Sequence, residues 1–133
     1  MAFFGPVALG LVARLEDDPR RRAGLHADAQ ALLAAGAVSH CHLEYHNHAI
    51  DGALERSDWE AALHHCQLLQ HYTAEEPLEL TDFLIARGRV LAQAGQGLRE
   101  EGVRRQLLAV RAQGQGWGLR PWLPALDAAL SRV

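Results

Sequence analysis

The chain has 133 residues, of which 49% are hydrophobic and 22% charged, with a formal net charge of -3 and a pI near 6.2. That length fits one domain, 1–133, large enough to bury a core without disulfides or metal, and the apolar fraction excludes intrinsic disorder. The weak acidity excludes the basic footprint of a nucleic-acid binder. Every basic residue is arginine, and with abundant Ala, Leu and Gly this composition points to a GC-rich bacterial source.

The first helix is expected near 3–15. Residues 2–13, AFFGPVALGLVA, form an apolar run too short to cross a bilayer, which takes about 20 residues. No basic segment precedes the run and no small-residue cleavage site follows it cleanly, so it does not read as a signal peptide. A soluble cytoplasmic protein with no membrane partner is expected, the first helix facing a core. One hairpin hides only one stripe of such a helix, and repeat arrays need polar caps at their ends. Phe3, Phe4, Val7 and Leu11 are therefore a candidate homodimer interface, and the chain reads equally as a piece of a longer array.

Asp18-Pro19 supplies an N-cap and a proline at the first helical position for 19–35, and Gly36 supplies its left-handed stop. Ser39 can cap 40–56, where Leu43, Ile50 and Leu54 share a face. Ser57-Asp58-Trp59-Glu60 reads as a capping box, Ser57 with Glu60, opening 58–73. Trp59, Ala62, Cys66 and Leu69 form the next stripe. Pro77 opens 78–95, with Leu80, Leu84 and Leu91 on one face beside Phe83, and Gly95 ends it. A helix over 98–114 leads to a flexible break at Gly114, Gly116 and Gly118, and Arg120-Pro121 starts the last helix, 121–131. No segment shows strand alternation. Seven helices joined by short links predict an all-α fold of antiparallel hairpins.

A helix pair recurring every ~34–40 residues suggests a solenoid. The stretch SDWEAALHHC resembles the turn and second helix of a tetratricopeptide repeat, with Asp58 and Trp59 at the turn and Ala62 as the small residue at the helix crossing. FLIARGRVLAQAGQ resembles the first helix of the next repeat, with Gly88 at the close contact, Leu91 packing and Gly95 stopping. FFGP, the start at Ser39–His42 and EPLELTDFLIARGRVLA, from about Phe3 to Gly97, further resemble the C-terminal helical region of bacterial nucleotide-cyclase/ATPase signalling proteins. The chain has no GxxxxGK[ST] phosphate loop and no paired metal-binding aspartates, so the resemblance implies a short tetratricopeptide-like α-solenoid and a role in protein contacts or as a sensor-like spacer, not catalysis.

Histidine is the unusual residue: eight occur, all but His26 between His40 and His71. In SHCHLEYHNH, His42 and His46 stand at i,i+4 on one helix face, as metal-ligand pairs do. His40, Glu44, His48 and Asp51 cluster on another side. His42, His46, His40, Glu44 and His48 are thus candidate ligands for Zn, Ni or Cu, although His40 and His42 are matched in the resembling family and His46 and His48 are not. His64 and His71 offer a second pair. The same rings also suit an apolar border with wet tips. Cys41 and Cys66 fit no zinc spacing and read as small, partly buried thiols in a reducing compartment. Each has a histidine neighbour in sequence, but adjacent helical residues point about 100° apart and form no nucleophile–base pair. Arg87, Arg89, Arg104, Arg105 and Arg111 can line an inner surface between the fifth and sixth helices as a clamp for an acidic peptide. They equally suit a solvated face, with Glu100 and Glu101 near Arg104 and Arg105. Trp59 reads as repeat core, and Trp117 and Trp122 as pins for the last helix. Two functions remain open: a non-enzymatic module binding a protein, a peptide or a second copy, or a metal- or ligand-binding regulatory domain built on the His-rich third helix.

Overall fold

A computed structural model of the chain describes residues 5–36 and 39–133; Phe3, Phe4 and the side chain of Ser39 lie outside that set. The elements are α1 (Gly5–Leu15), α2 (Pro19–Ala34), α3 (Ser39–Glu55), α4 (Trp59–Thr73), α5 (Glu79–Gly95), α6 (Glu101–Gly116), a 3-10 turn (Arg120–Trp122) and α7 (Leu123–Leu130). Among the described residues there is no strand, and no helix is long and apolar enough to cross a membrane.

The breaks are set by local chemistry. Asp18 caps α2, its side chain accepting from the Arg20 amide at 3.0 Å, with Pro19 at the first position. At the α3–α4 junction the expected capping box is replaced by another device. Ser57 takes a left-handed φ of 59°, the Ser57 amide donates to the Leu54 carbonyl, and the Asp58 amide donates to the Ala53 carbonyl. This is the bonding pattern that closes a helix C-terminus. Asp58, not Ser57, caps α4 by accepting from the Ala61 amide at 3.1 Å. The link is so short that Ser57 is spent ending one helix and cannot also start the next. The same pattern ends α5 at Gly97 and α6 at Gly118, both at positive φ. Gly114 and Gly116 are therefore helical, not a break, and Gly114 is buried against Phe83 and Leu123.

The odd-numbered helices form one row in which each touches the next: α1 on α3, α3 on α5, α5 on α7. Each even helix packs on its neighbours in sequence, and among the described residues the even helices do not touch one another. A row in contact beside a row that splays is the arrangement of a stacked-hairpin solenoid. The first hairpin departs from regularity, because the α2 backbone lies close to α1 and meets α3 through side chains, Ala29 and Leu33 sharing a buried cluster with Cys41, Tyr45 and Ala49.

Small residues allow the close crossings. Ala53, Ala62 and Ala92 meet where α3, α4 and α5 cross. A Cβ on Gly88 would lie 2.6 Å from Cys66 Sγ and 2.9 Å from Ile50 Cγ2, and a Cβ on Gly95 would lie 2.6 Å from the Trp59 ring. Both glycines are required by that proximity. Ala62, Cys66 and Leu69 are fully buried, as their spacing predicts, whereas Leu80 is exposed and Phe83, Leu84, Val90 and Leu91 carry the α5 core. Cys41 and Cys66 are both buried thiols.

Candidate functional site

The histidines of α3 diverge. His46 turns inward, 6% exposed, and its Nδ1 lies 3.4 Å from Nδ1 of His65 on α4, which is 7% exposed. Beside them His26 of α2 meets the hydroxyl of Tyr45 at 2.7 Å, and the His26 and His65 rings lie 5.4 Å apart. Burial, reinforced by the neighbouring imidazoles, pushes His46 down to about 4 and His65 to about 3, so both are neutral near pH 7. His42 instead stacks on Tyr72, ring centroids 3.8 Å apart and interplanar angle 8°. His48 accepts from Arg14 at 3.3 Å. His40 and Glu44 are exposed. The five proposed ligands His40, His42, Glu44, His46 and His48 are therefore not brought together, and among the described residues no three His, Cys, Asp or Glu side chains are placed to hold an ion. The sequence showed the i,i+4 pair but not the partner across the crossing: His65 on α4 draws His46 away from His42.

The arginines divide as well. Arg87 is 5% exposed and donates to Asp51 at 2.7 Å and to the Trp122 carbonyl at 3.0 Å, tying α5 to α3 and to the entry of α7. It is a core strut, not part of a clamp. Arg89 reaches Gln70 on α4. Arg111 pairs with Asp127 and Arg104 donates to the Val133 carbonyl, both on the α7 side of α6. Arg105 is exposed. No shared surface collects the five. A signal for Arg87 was present, since it stands three residues after Leu84 and four before Leu91, on the buried stripe.

On α1 the buried residues are the small ones, Pro6, Gly10 and Ala13. Ala8, Leu11, Val12 and Leu15, at helical spacing, are exposed, Leu11 at 44%, Val12 at 49% and Leu15 at 74%. Of the expected interface, Leu11 thus stays open, Val7 packs partly against the α2–α3 core, and Phe3 and Phe4 lie outside the described residues.

Two clefts lie along the solenoid on either side of α3. The first, ≈ 250 Å³, lies between α2, α3 and α4 and is edged by Arg14, Arg22, Arg56, His26, His48 and His65. Its cations serve the fold: Arg56 donates to the carbonyls of Ala13, Arg14 and Glu16, and Arg22 to that of Glu16, closing the C-terminus of α1. Arg14 pairs with Glu55, holding that carboxyl below its ordinary range. The second, ≈ 240 Å³, spans the C-terminal ends of α3, α5 and α7. Leu54, Trp59, Leu91, Ala94 and Ala129 line it apolar, and Arg99, Arg132 and Val133 stand at its edge. Arg99 donates to the Ala94 carbonyl and Arg132 to the Ala128 carbonyl. Neither guanidinium pairs with a carboxylate among the described residues. Comparison with protein-family models, with curated proteins and with solved structures finds no match to this chain.

Proposed function

We propose that the chain is a non-enzymatic protein-interaction module that receives an acidic, apolar segment of a partner in the groove across α3, α5 and α7. The observation that carries this reading is the pairing of an apolar floor with two guanidiniums that donate to backbone carbonyls and, among the described residues, pair with no carboxylate. Fixed, forked donors beside apolar surface suit a peptide carboxylate flanked by aliphatic side chains. The reading agrees with the tetratricopeptide-like pattern around Trp59, Ala62 and Gly88. Selection of binders from a random peptide library tests it. Enrichment of Asp or Glu beside aliphatic residues is expected, with affinity falling about tenfold in Arg99→Glu and Arg132→Glu. Binders without acidic residues, or affinity unchanged in both variants, would contradict it.

The exposed stripe of Ala8, Leu11, Val12 and Leu15 favours self-association as a second contact. Light scattering at micromolar concentration is expected to show a dimer that Leu11→Glu and Leu15→Glu dissolve. A monomer of 14.6 kDa contradicts this contact without touching the groove.

A further inference from the structure

Arg22 and His26 stand four residues apart on α2, as do His48, Gly52 and Arg56 along α3 and Ala61 and His65 on α4. Residues at that spacing share a helix face. The fold turns the three faces onto the cleft of ≈ 250 Å³ between these helices, where Gly52 and Ala61 leave room. Each imidazole on the wall has its Nδ1 committed elsewhere. His48 Nδ1 accepts from Arg14 at 3.3 Å. His26 Nδ1 accepts from the buried Tyr45 hydroxyl at 2.7 Å, whose oxygen takes its own bond from Gln30. His65 Nδ1 lies against His46 Nδ1 at 3.4 Å. A ring whose Nδ1 accepts carries its proton on Nε2. With His46 as the donor in their shared contact, His65 matches the other two. Among the described residues the Nε2 atoms of His26, His48 and His65 have no partner, and none of them is sealed from solvent. His65 is the telling case: it is only 7% exposed, and a ring N–H so placed costs stability unless an acceptor reaches it.

The cleft is also electropositive. Arg22 and Arg56 donate to backbone carbonyls at the end of α1, and neither pairs with a carboxylate among the described residues. Arg22 commits only Nη1 to that task, which leaves its Nε and Nη2 donors. Burial, and then the charges of these two guanidiniums, holds His26 below its ordinary value. Asp58, also on the wall, has its carboxylate taken by the Ala61 amide at 3.1 Å.

We infer that this cleft binds a phosphate group, with Arg22 and Arg56 supplying the charge and the Nε2–H groups of His26, His48 and His65 the further donors. Imidazoles protonated at Nε2 turn away a cation and call for an acceptor. Donors arriving from three helices suit a tetrahedral oxyanion, whose oxygens point in several directions, better than a planar carboxylate. A phosphate monoester carries a charge of roughly −1.5 to −2 near pH 7, which answers two guanidiniums. The cleft shares no lining residue with the groove across α3, α5 and α7, so the two readings stand independently. The phosphate is either the inorganic ion or the phosphoryl group of a small organic molecule.

Titration of the full chain with inorganic phosphate and with n-propyl phosphate, at fixed ionic strength, tests the site by proton–nitrogen correlation NMR of the histidine rings. Saturable shifts are expected at Nε2 of His26, His48 and His65, with none at the exposed ring of His71. Acetate and chloride should bind more weakly by about tenfold or more. Arg22→Gln and His48→Ala are each expected to weaken phosphate binding about fivefold or more, and Arg105→Gln, exposed on α6, to leave it unaltered. Saturating phosphate should raise the Tm of the parent and of Arg105→Gln more than that of Arg22→Gln. Tighter binding of propyl phosphate than of inorganic phosphate supports an organic phosphate as the ligand, and the reverse supports the inorganic ion. No saturable shift with either phosphate, equal binding of acetate or chloride, indifference to both Arg22→Gln and His48→Ala, or an equal loss in Arg105→Gln each overturns the inference.

Discussion

Acidification from pH 7 to pH 5 is expected to destabilise the fold through His46 and His65. Both rings are buried between α3 and α4, Nδ1 to Nδ1 at 3.4 Å, with His26, His42 and His64 around them. Burial holds their pKa values at about 4 and about 3, below the ordinary 6.5. The sign follows directly. Below pH 6.5 the unfolded chain takes up protons that the folded chain refuses, so the stability present above that pH is lost as pH falls, levelling off below about 4 for His46 and about 3 for His65. Each imidazole contributes a slope of about 1.4 kcal/mol per pH unit once the unfolded form is protonated, hence about 2 kcal/mol by pH 5. Together they remove roughly 4 kcal/mol, a large part of a typical folding free energy of about 5–15 kcal/mol. The fall in Tm should be on the order of 10 °C. Thermal and urea unfolding followed by circular dichroism, at steps between pH 7 and 5, measures it. The double variant His46→Gln/His65→Gln should be weaker at pH 7 but nearly flat over the same range. A parent with flat stability, or a double variant that keeps the parent's slope, would refute the reasoning.

Three further perturbations test the packing. Gly88→Leu forces side-chain atoms into Cys66 and Ile50, and Ala62→Trp overfills the alanine crossing; each should cost about 1–3 kcal/mol or more, and melting within a degree or two of the parent would refute the crossing geometry. Asp51→Asn leaves the Arg87 charge buried and should cost about 3 kcal/mol by urea unfolding, whereas a loss as small as that of a surface ion pair would place Arg87 outside the core. Ser57→Gly should stabilise by about 1 kcal/mol by relieving the left-handed backbone, while Asp58→Ala should lose about 1 kcal/mol of capping; the opposite order would restore Ser57 as the cap.

The helical elements were legible because their signals are local. The stripe of Trp59, Ala62, Cys66 and Leu69, the Asp18-Pro19 start and the small residues at Ala62 and Gly88 follow from periodicity, capping and crossing geometry within one or two helices. The α5 end at Gly95 matches the expectation, and the features that shifted are the cap between α3 and α4, where Ser57 ends one helix so that Asp58 must start the next, and the end of α6, which runs through Gly114 to Gly116. The side-chain sites were less legible because they depend on contacts between distant segments. His46 is directed by His65, and Arg87 by Asp51 and by a carbonyl at the start of α7. Neither Asp51 nor Trp122 carries any mark in sequence of pairing with Arg87. The groove edged by Arg99 and Arg132 was likewise invisible, since it exists only where the ends of three helices meet.

The central claim is that the groove across α3, α5 and α7 is where this module receives a partner. Hydrogen exchange of the full chain, with and without a saturating acidic peptide selected for binding, tests that most directly. The account predicts added protection in the segments around Leu91–Gly95 and Ala125–Arg132, with the stretch Glu75–Thr81 unchanged. Protection confined to other segments, or none at saturation, contradicts it.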